Sequence, residues 1–87
     1  MNGLMPISSI SKQFGNAVRK RRMVANMSQE KLAERAGLHP TYVSMVERGV
    51  RNATLDVAAR IAKALKVELP KLIEEAQSKR GGSGKKD

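Results

Sequence analysis

The fold of this chain is decided by residues 28–52, which read SQEKLAERAGLHPTYVSMVERGVRN. Ser28 is a good helix N-cap, and Gly37 can end the first helix because glycine tolerates the left-handed conformation. Pro40 can start a second helix, since its fixed φ and missing N–H suit the first helical position. We therefore predict two short helices joined by a tight turn, the second spanning 40–48. Such a pair can present its second helix to the major groove of DNA.

The second predicted helix has two unlike faces. Val43, Val46 and Glu47 lie on one side, which we expect to pack against the protein. The other side carries Thr41, Ser44, Met45 and Arg48. The two hydroxyl groups could reach base edges or phosphates, and the methionine side chain could lie against a thymine methyl group.

Four blocks of sequence, FGNAVRKRR, SQEKLAERAGL, TYVSMVERG and LDVAARIAKALKV, follow one another between Phe14 and Ile73. In this order and spacing they resemble the Cro/phage-repressor (Xre-type) helix-turn-helix family. The segments HPTYVS and VERGVRN are also similar to those of restriction-modification controller proteins. The resemblance implies an all-α fold, a compact five-helix bundle of the lambda-repressor-like DNA-binding type.

The same resemblance implies roles for residues of the motif. It assigns base contacts to Pro40, Thr41, Ser44 and Met45. Some relatives have a long polar side chain at the position of Pro40, so Thr41 is the stronger candidate. It also implies that Gln29 contacts a phosphate and that Arg22 and Glu47 form a partly buried ion pair. The pair agrees with the helix faces, because a carboxylate on the packing side needs a partner.

The charge of the chain is strongly positive, with 17 Lys and Arg against 8 Asp and Glu and a formal net charge of +9. Such an excess on a small domain favours a polyanionic partner. Residues 19–22 are four consecutive cations, of which two or three at most can face one DNA backbone, because consecutive helical residues point in different directions. We predict phosphate contacts for Arg19, Arg48 and Arg51.

Three further residues each have more than one interpretation. Arg21 stands where many relatives have an apolar residue, so the packing of its helix could be looser, its stem could snorkel toward solvent, or its charge could lie near DNA. Tyr42 could cover the edge of the core with its ring while its hydroxyl reaches a phosphate. His39 could titrate as a switch or read a base, or it could simply precede the helix.

The rest of the chain divides into an arm, a domain and a tail. We predict a flexible N-terminal arm over 1–10, the helix-turn-helix domain over 11–77 and a disordered basic tail over 78–87. The first helix should begin near residue 11 and end at Asn26, with inward side chains at Phe14, Ala17, Val18 and Ala25.

Two more helices complete the predicted domain. Thr54 should cap the fourth, whose apolar stripe closes the core and consists of Leu55, Val57, Ala58, Ile61, Ala62 and Leu65. A short fifth helix starts near Pro70 and must pack on something to persist. Its apolar residues are the candidates for a dimer contact: Leu69, Leu72 and Ile73.

Composition limits the remaining possibilities. The chain has no cysteine and one histidine, so it predicts no disulfide, no metal site and no cofactor. It has no apolar run of membrane-spanning length and no signal peptide, which favours the cytoplasm. An enzyme is the weakest hypothesis, because the chain lacks a nucleophile-base pair, a metal cluster and a phosphate-binding glycine loop.

We therefore predict a transcriptional regulator that binds a double-stranded DNA operator. It would act as a homodimer on palindromic half-sites about one helical turn apart, without a small-molecule effector or a membrane. The alternative is an antitoxin-like module that binds a second protein and contacts DNA only secondarily.

Overall fold

The computed structural model describes residues 9–78, which form five α-helices and no strand. The helices are α1 (Ser9–Val24), α2 (Gln29–Ala36), α3 (Pro40–Arg48), α4 (Leu55–Ala64) and α5 (Leu69–Gln77). The all-α prediction is confirmed. Residues 9 and 10 belong to α1 and not to an arm, and the rest of the predicted arm and most of the predicted tail lie outside the described residues.

The turn between α2 and α3 has the predicted geometry. The Ser28 hydroxyl accepts a hydrogen bond from the backbone N–H of Lys31 at 3.0 Å, as an N-cap does. Gly37 follows α2 with a φ of 70°, and Gly49 follows α3 with a φ of 75°. The predicted bounds of α3 are confirmed, because each end has the residue that its backbone conformation requires.

The first helix ends earlier than its apolar pattern predicts. Its last residue is Val24, and Asn26 has a φ of 56° in the left-handed region that asparagine tolerates. Ala25 was expected to face inward but is exposed, because it lies in the turn beyond the end of the helix.

The core consists of small and aliphatic side chains from all five helices, together with the aromatic ring of Phe14. Leu32, Ile61 and Leu72 are completely buried at its centre. Helix α1 packs on α3 and α5, and α2 packs on α3 and α4. Because α3 has one side held by this core, its other side is left to face outward.

One residue of the predicted α4 stripe is not in the core. Leu55 is 80% exposed, because it is the first residue of the helix and lies beyond the edge of the packed layer. Thr54 caps the helix as predicted, accepting a hydrogen bond from the Val57 N–H at 3.1 Å. Among the described helices, none is both long and apolar enough to cross a membrane.

Candidate DNA interface

The outward face of α3 is formed by the residues that the sequence assigned to base reading. Thr41 is exposed in the first turn, and Arg48 is exposed at the C-terminal end. Pro40, just before Thr41, and Ser44 and Met45, between Thr41 and Arg48, are half-buried on the same side of the helix. The face therefore presents short side chains at its N-terminal end, where a helix can approach base edges closely.

The inward face of α3 holds the helix in place through apolar packing and one ion pair. Val43 and Val46 expose no more than 1% of their surface to solvent. Glu47 is also buried, and its Oε2 lies 2.6 Å from Arg22 Nε while its Oε1 lies 3.0 Å from Arg22 Nη2. Glu47 raises the pKa of Arg22 through these hydrogen bonds, against the opposing effect of burial. Because Arg22 also donates to the carbonyl of Met27 at 2.8 Å, the pair joins α1, the turn after it and α3.

Gln29 is connected to the same carboxylate. Its Nε2 donates to Glu47 Oε1 at 3.0 Å, so the side chain at the start of α2 is tied to α3. A primary amide has two N–H donors, and the predicted phosphate contact would use the second. This contact could not be predicted from the sequence, because the two residues are distant in the chain and meet only when α2 packs on α3.

The four consecutive cations of α1 have different surroundings. Arg22 is paired with Glu47, and Arg21 donates from Nε and Nη2 to the carboxylate of Glu75 in α5, at 2.8 and 2.5 Å. Arg19 and Lys20 are exposed. The pairing of Arg21 with Glu75 was not among the interpretations drawn from the sequence, and it places the charge of Arg21 against α5.

The remaining predicted phosphate contacts surround the outward face of α3. Arg48 and Arg51 are exposed, as is Arg19 on α1. Within residues 9–78 none of these three side chains forms an ion pair. Their positive charge is therefore available to an anionic partner.

Comparison with known proteins agrees with this geometry. The model of the helix-turn-helix family matches residues 18–72. This chain belongs to the helix-turn-helix family. It is a DNA-binding transcriptional regulator by family, and the family is not one of enzymes.

Three relatives show how close the match is. The control protein C.SmaI of Serratia marcescens is 52% identical over 56 residues, which cover 64% of this chain and 67% of the relative. The control protein C.BamHI of Bacillus amyloliquefaciens is 50% identical over 62 residues, which cover 70% of this chain and 76% of the relative. The crystal structure of the restriction-modification controller protein C.AhdI from Aeromonas hydrophila matches with a TM-score of 0.72 and 38% identity, over 75% of this chain and 98% of that one.

Tyr42 and His39, whose roles the sequence left open, both form hydrogen bonds within the fold of this helix-turn-helix protein. The ring of Tyr42 packs against the core, and its hydroxyl donates to the backbone carbonyl of Asn52 at 3.4 Å. His39 caps α3, because its Nδ1 accepts from the Thr41 N–H at 3.1 Å. A histidine N-cap was not predicted, since the usual N-cap residues are Ser, Thr, Asp and Asn.

The predicted dimer contact needs a correction. Leu72 is completely buried in the core of its own protomer, so it has no surface to offer to a second one. Leu69 and Ile73 are half-buried. Ile73 borders a shallow groove that is also lined by Ile10 and Leu55, which are 42% and 80% exposed, and by the polar residues Ser11, Arg51 and Asn52.

Proposed function

We propose that this regulator binds a palindromic operator in double-stranded DNA as a homodimer in the cytoplasm. Each protomer would place α3 in the major groove, with half-site centres about one helical turn apart. The observation that carries the proposal is the outward face of α3, where exposed Thr41 begins a row of small and polar side chains. The base-reading set would be Pro40, Thr41, Ser44 and Met45.

The phosphate contacts would surround this face. We propose that Arg19, Arg48 and Arg51 neutralise backbone charge, and that Gln29 adds a hydrogen bond to a phosphate oxygen. The Tyr42 hydroxyl has one proton, so it would donate to a phosphate only by giving up its bond to the Asn52 carbonyl. Each neutralised phosphate should contribute about −0.9 to the slope of log affinity against log salt concentration. Operator binding should therefore weaken steeply as salt is added.

We further propose that the protein regulates its own promoter and acts as a restriction-modification controller. The relatives that support this are named control proteins and a controller protein. They do not favour the antitoxin-like alternative, so the helix-turn-helix motif is taken as the working surface of the molecule.

The dimer contact proposed here is the apolar patch of Ile10, Leu55 and Ile73. Leu55 leaves 80% of its surface in water, next to the groove that Ile73 borders. Covering this patch with the same patch of a second copy would remove the apolar area of both protomers from water, which is favourable.

A footprint on DNA upstream of the protein's own gene tests the proposed function. It should be made at physiological salt with competitor DNA, and we expect protection of two half-sites about one turn apart. Diffuse protection that competitor removes would contradict the proposal. Thr41→Ala combined with Met45→Ala should abolish the footprint, whereas Lys63→Ala on α4, outside the predicted contact set, should leave it intact.

Sedimentation tests the dimer contact separately. Leu55→Glu should shift the protein toward monomer, because a charge on the patch cannot be buried against a second copy. Val24→Glu is the matched control, since Val24 is 85% exposed and lies outside the patch. If Leu55→Glu and Val24→Glu gave the same association state as the unmodified protein, the patch would have to be abandoned.

A further inference from the structure

The loop between α3 and α4 is attached to the rest of the fold through Asn52. The Ser11 hydroxyl, near the start of α1, donates to the side-chain oxygen of Asn52. The Tyr42 hydroxyl, on α3, donates to the backbone carbonyl of the same residue at 3.4 Å. One exposed residue therefore connects this loop to two different helices.

Arg51 precedes Asn52 and contacts the same tyrosine. Its guanidinium carbon lies 5.5 Å from the centroid of the Tyr42 ring, within the range of a cation–π contact. The guanidinium is thus held on an aromatic face while its side chain remains exposed. A loop residue in this position needs the loop backbone fixed, because a shift of the loop would take the guanidinium off the ring.

These contacts act on an exposed loop and not on the hydrophobic core. Asn52 is exposed and packs no apolar surface into the core, so its two hydrogen bonds fix a backbone segment that carries the cation. Holding a long side chain in place before a partner arrives reduces the entropy that binding must remove.

We propose that Asn52 is a positioning residue, which holds Arg51 in place for a DNA phosphate by fixing the loop against α1 and α3. The inference rests on the proposed phosphate contact of Arg51. It adds that this contact is prepared in the unbound protein, and that Ser11 and Tyr42 take part in preparing it.

A double-mutant cycle in DNA binding tests the inference. The probe is fluorescently labelled duplex DNA of mixed sequence, because phosphate contacts are independent of sequence. Asn52→Ala should weaken binding about three- to tenfold, the range expected when one long side chain must be ordered on binding. It should also make the salt slope less steep by up to about 0.9, the contribution of one phosphate.

The decisive measurement is the same substitution in an Arg51→Ala background. There Asn52→Ala should have no further effect, because the side chain it positions is already gone. Ser11→Ala removes the same side-chain bond as Asn52→Ala, because the bond from Tyr42 goes to the backbone carbonyl and is kept in both variants. It should therefore reproduce the loss in the unmodified protein and cause none in the Arg51→Ala background. Circular dichroism should show that all variants keep their helices at the temperature of the titration. Sedimentation should show that they keep the association state of the unmodified protein, because Ser11, Arg51 and Asn52 line the same groove as the proposed dimer patch.

Arg48→Ala provides the matched control. Arg48 belongs to α3 and is placed by the helix and not by the loop. The losses from Asn52→Ala and Arg48→Ala should therefore add.

The outcomes separate the inference from the function on which it rests. If Arg51→Ala weakens binding but Asn52→Ala costs as much in that background as alone, the positioning role is overturned and the phosphate contact stands. An Asn52→Ala variant with unchanged affinity overturns the positioning role as well. If Arg51→Ala changes neither affinity nor salt slope, the phosphate contact fails and the inference fails with it.

Discussion

Gly15 of α1 lies directly against the backbone of Glu47 in α3. A Cβ atom on Gly15 would stand 2.6 Å from the Glu47 carbonyl oxygen, and it would also meet the carbonyl oxygen of Val46. The two helices therefore cross backbone to backbone at this point. The close crossing brings Arg22 and Glu47 within reach of each other and sets the position of α3 relative to α1.

Replacing Gly15 with alanine should destabilise the protein, although alanine is the better helix former. The added methyl group would force α1 away from α3, and overpacking of this kind costs about 1 to 3 kcal/mol. Chemical denaturation measures the change. Asn16→Ala, exposed on the same helix, is the control and should cause no loss. A gain in stability for Gly15→Ala would contradict the close crossing.

Arg22→Ala should lower the free energy of unfolding by about 3 to 5 kcal/mol, because it leaves Glu47 buried without its counterion. Glu47→Ala should have a loss of similar size, and the two losses should not add, since both remove one pair. Arg19→Ala is the control, and its effect should stay within about 0.5 kcal/mol because the side chain is exposed. If Arg22→Ala unfolded at the same temperature as the unmodified protein, the ion pair would not contribute to stability.

The Arg21–Glu75 pair should make stability depend on acidity. Its hydrogen bond lowers the pKa of Glu75 below the ordinary value of 4.5. The folded state therefore binds the Glu75 proton less tightly than the unfolded state does. The stabilisation is fully present above the ordinary value and is lost as the pH falls through the lower folded value.

Glu75→Gln checks this pH dependence. The variant should lose less than about 1 kcal/mol at neutral pH, because the pair is partly exposed, and the difference from the unmodified protein should shrink in acid. Glu74→Gln, exposed on the same helix, should show no such convergence. A difference that stayed constant between neutral and acid pH would argue against the ion pair.

His39→Ala should cost about 1 kcal/mol of stability, the usual effect of removing an N-cap. The imidazole Nδ1 accepts the Thr41 N–H in the first turn of α3, and alanine leaves that donor without a protein partner. His39→Asn should retain most of the stability, because an asparagine side chain can accept the same bond. Equal denaturation midpoints for the alanine variant and the unmodified protein would rule out a stabilising cap.

The helices could be predicted from the sequence because the signals that define them are local. Ser28, Gly37 and Gly49 mark the ends of α2 and α3 through backbone conformations that depend on the residue itself. The outward face of α3 follows from helical periodicity alone. The same approach failed at Ala25 and Leu55, since periodicity does not say where a helix leaves the packed layer.

The contacts between helices could not be predicted from the residues alone. A glycine inside a helix is a weak signal of close packing, but nothing in the sequence identifies Glu47 as the neighbour of Gly15. Glu75 is likewise one of two adjacent glutamates in α5, and only the packing of α5 on α1 selects it for Arg21.

The sequence by itself thus determined the number and order of the helices, the caps at Ser28 and Thr54 and the outward face of α3, because each depends on residues within a few positions of one another. The tertiary structure alone decided which partners Gln29, Arg21 and Asn52 have, and that Leu72 is buried while Leu55 is exposed. These properties depend on the distances between helices that are far apart in the chain, and those distances are set only when the core packs.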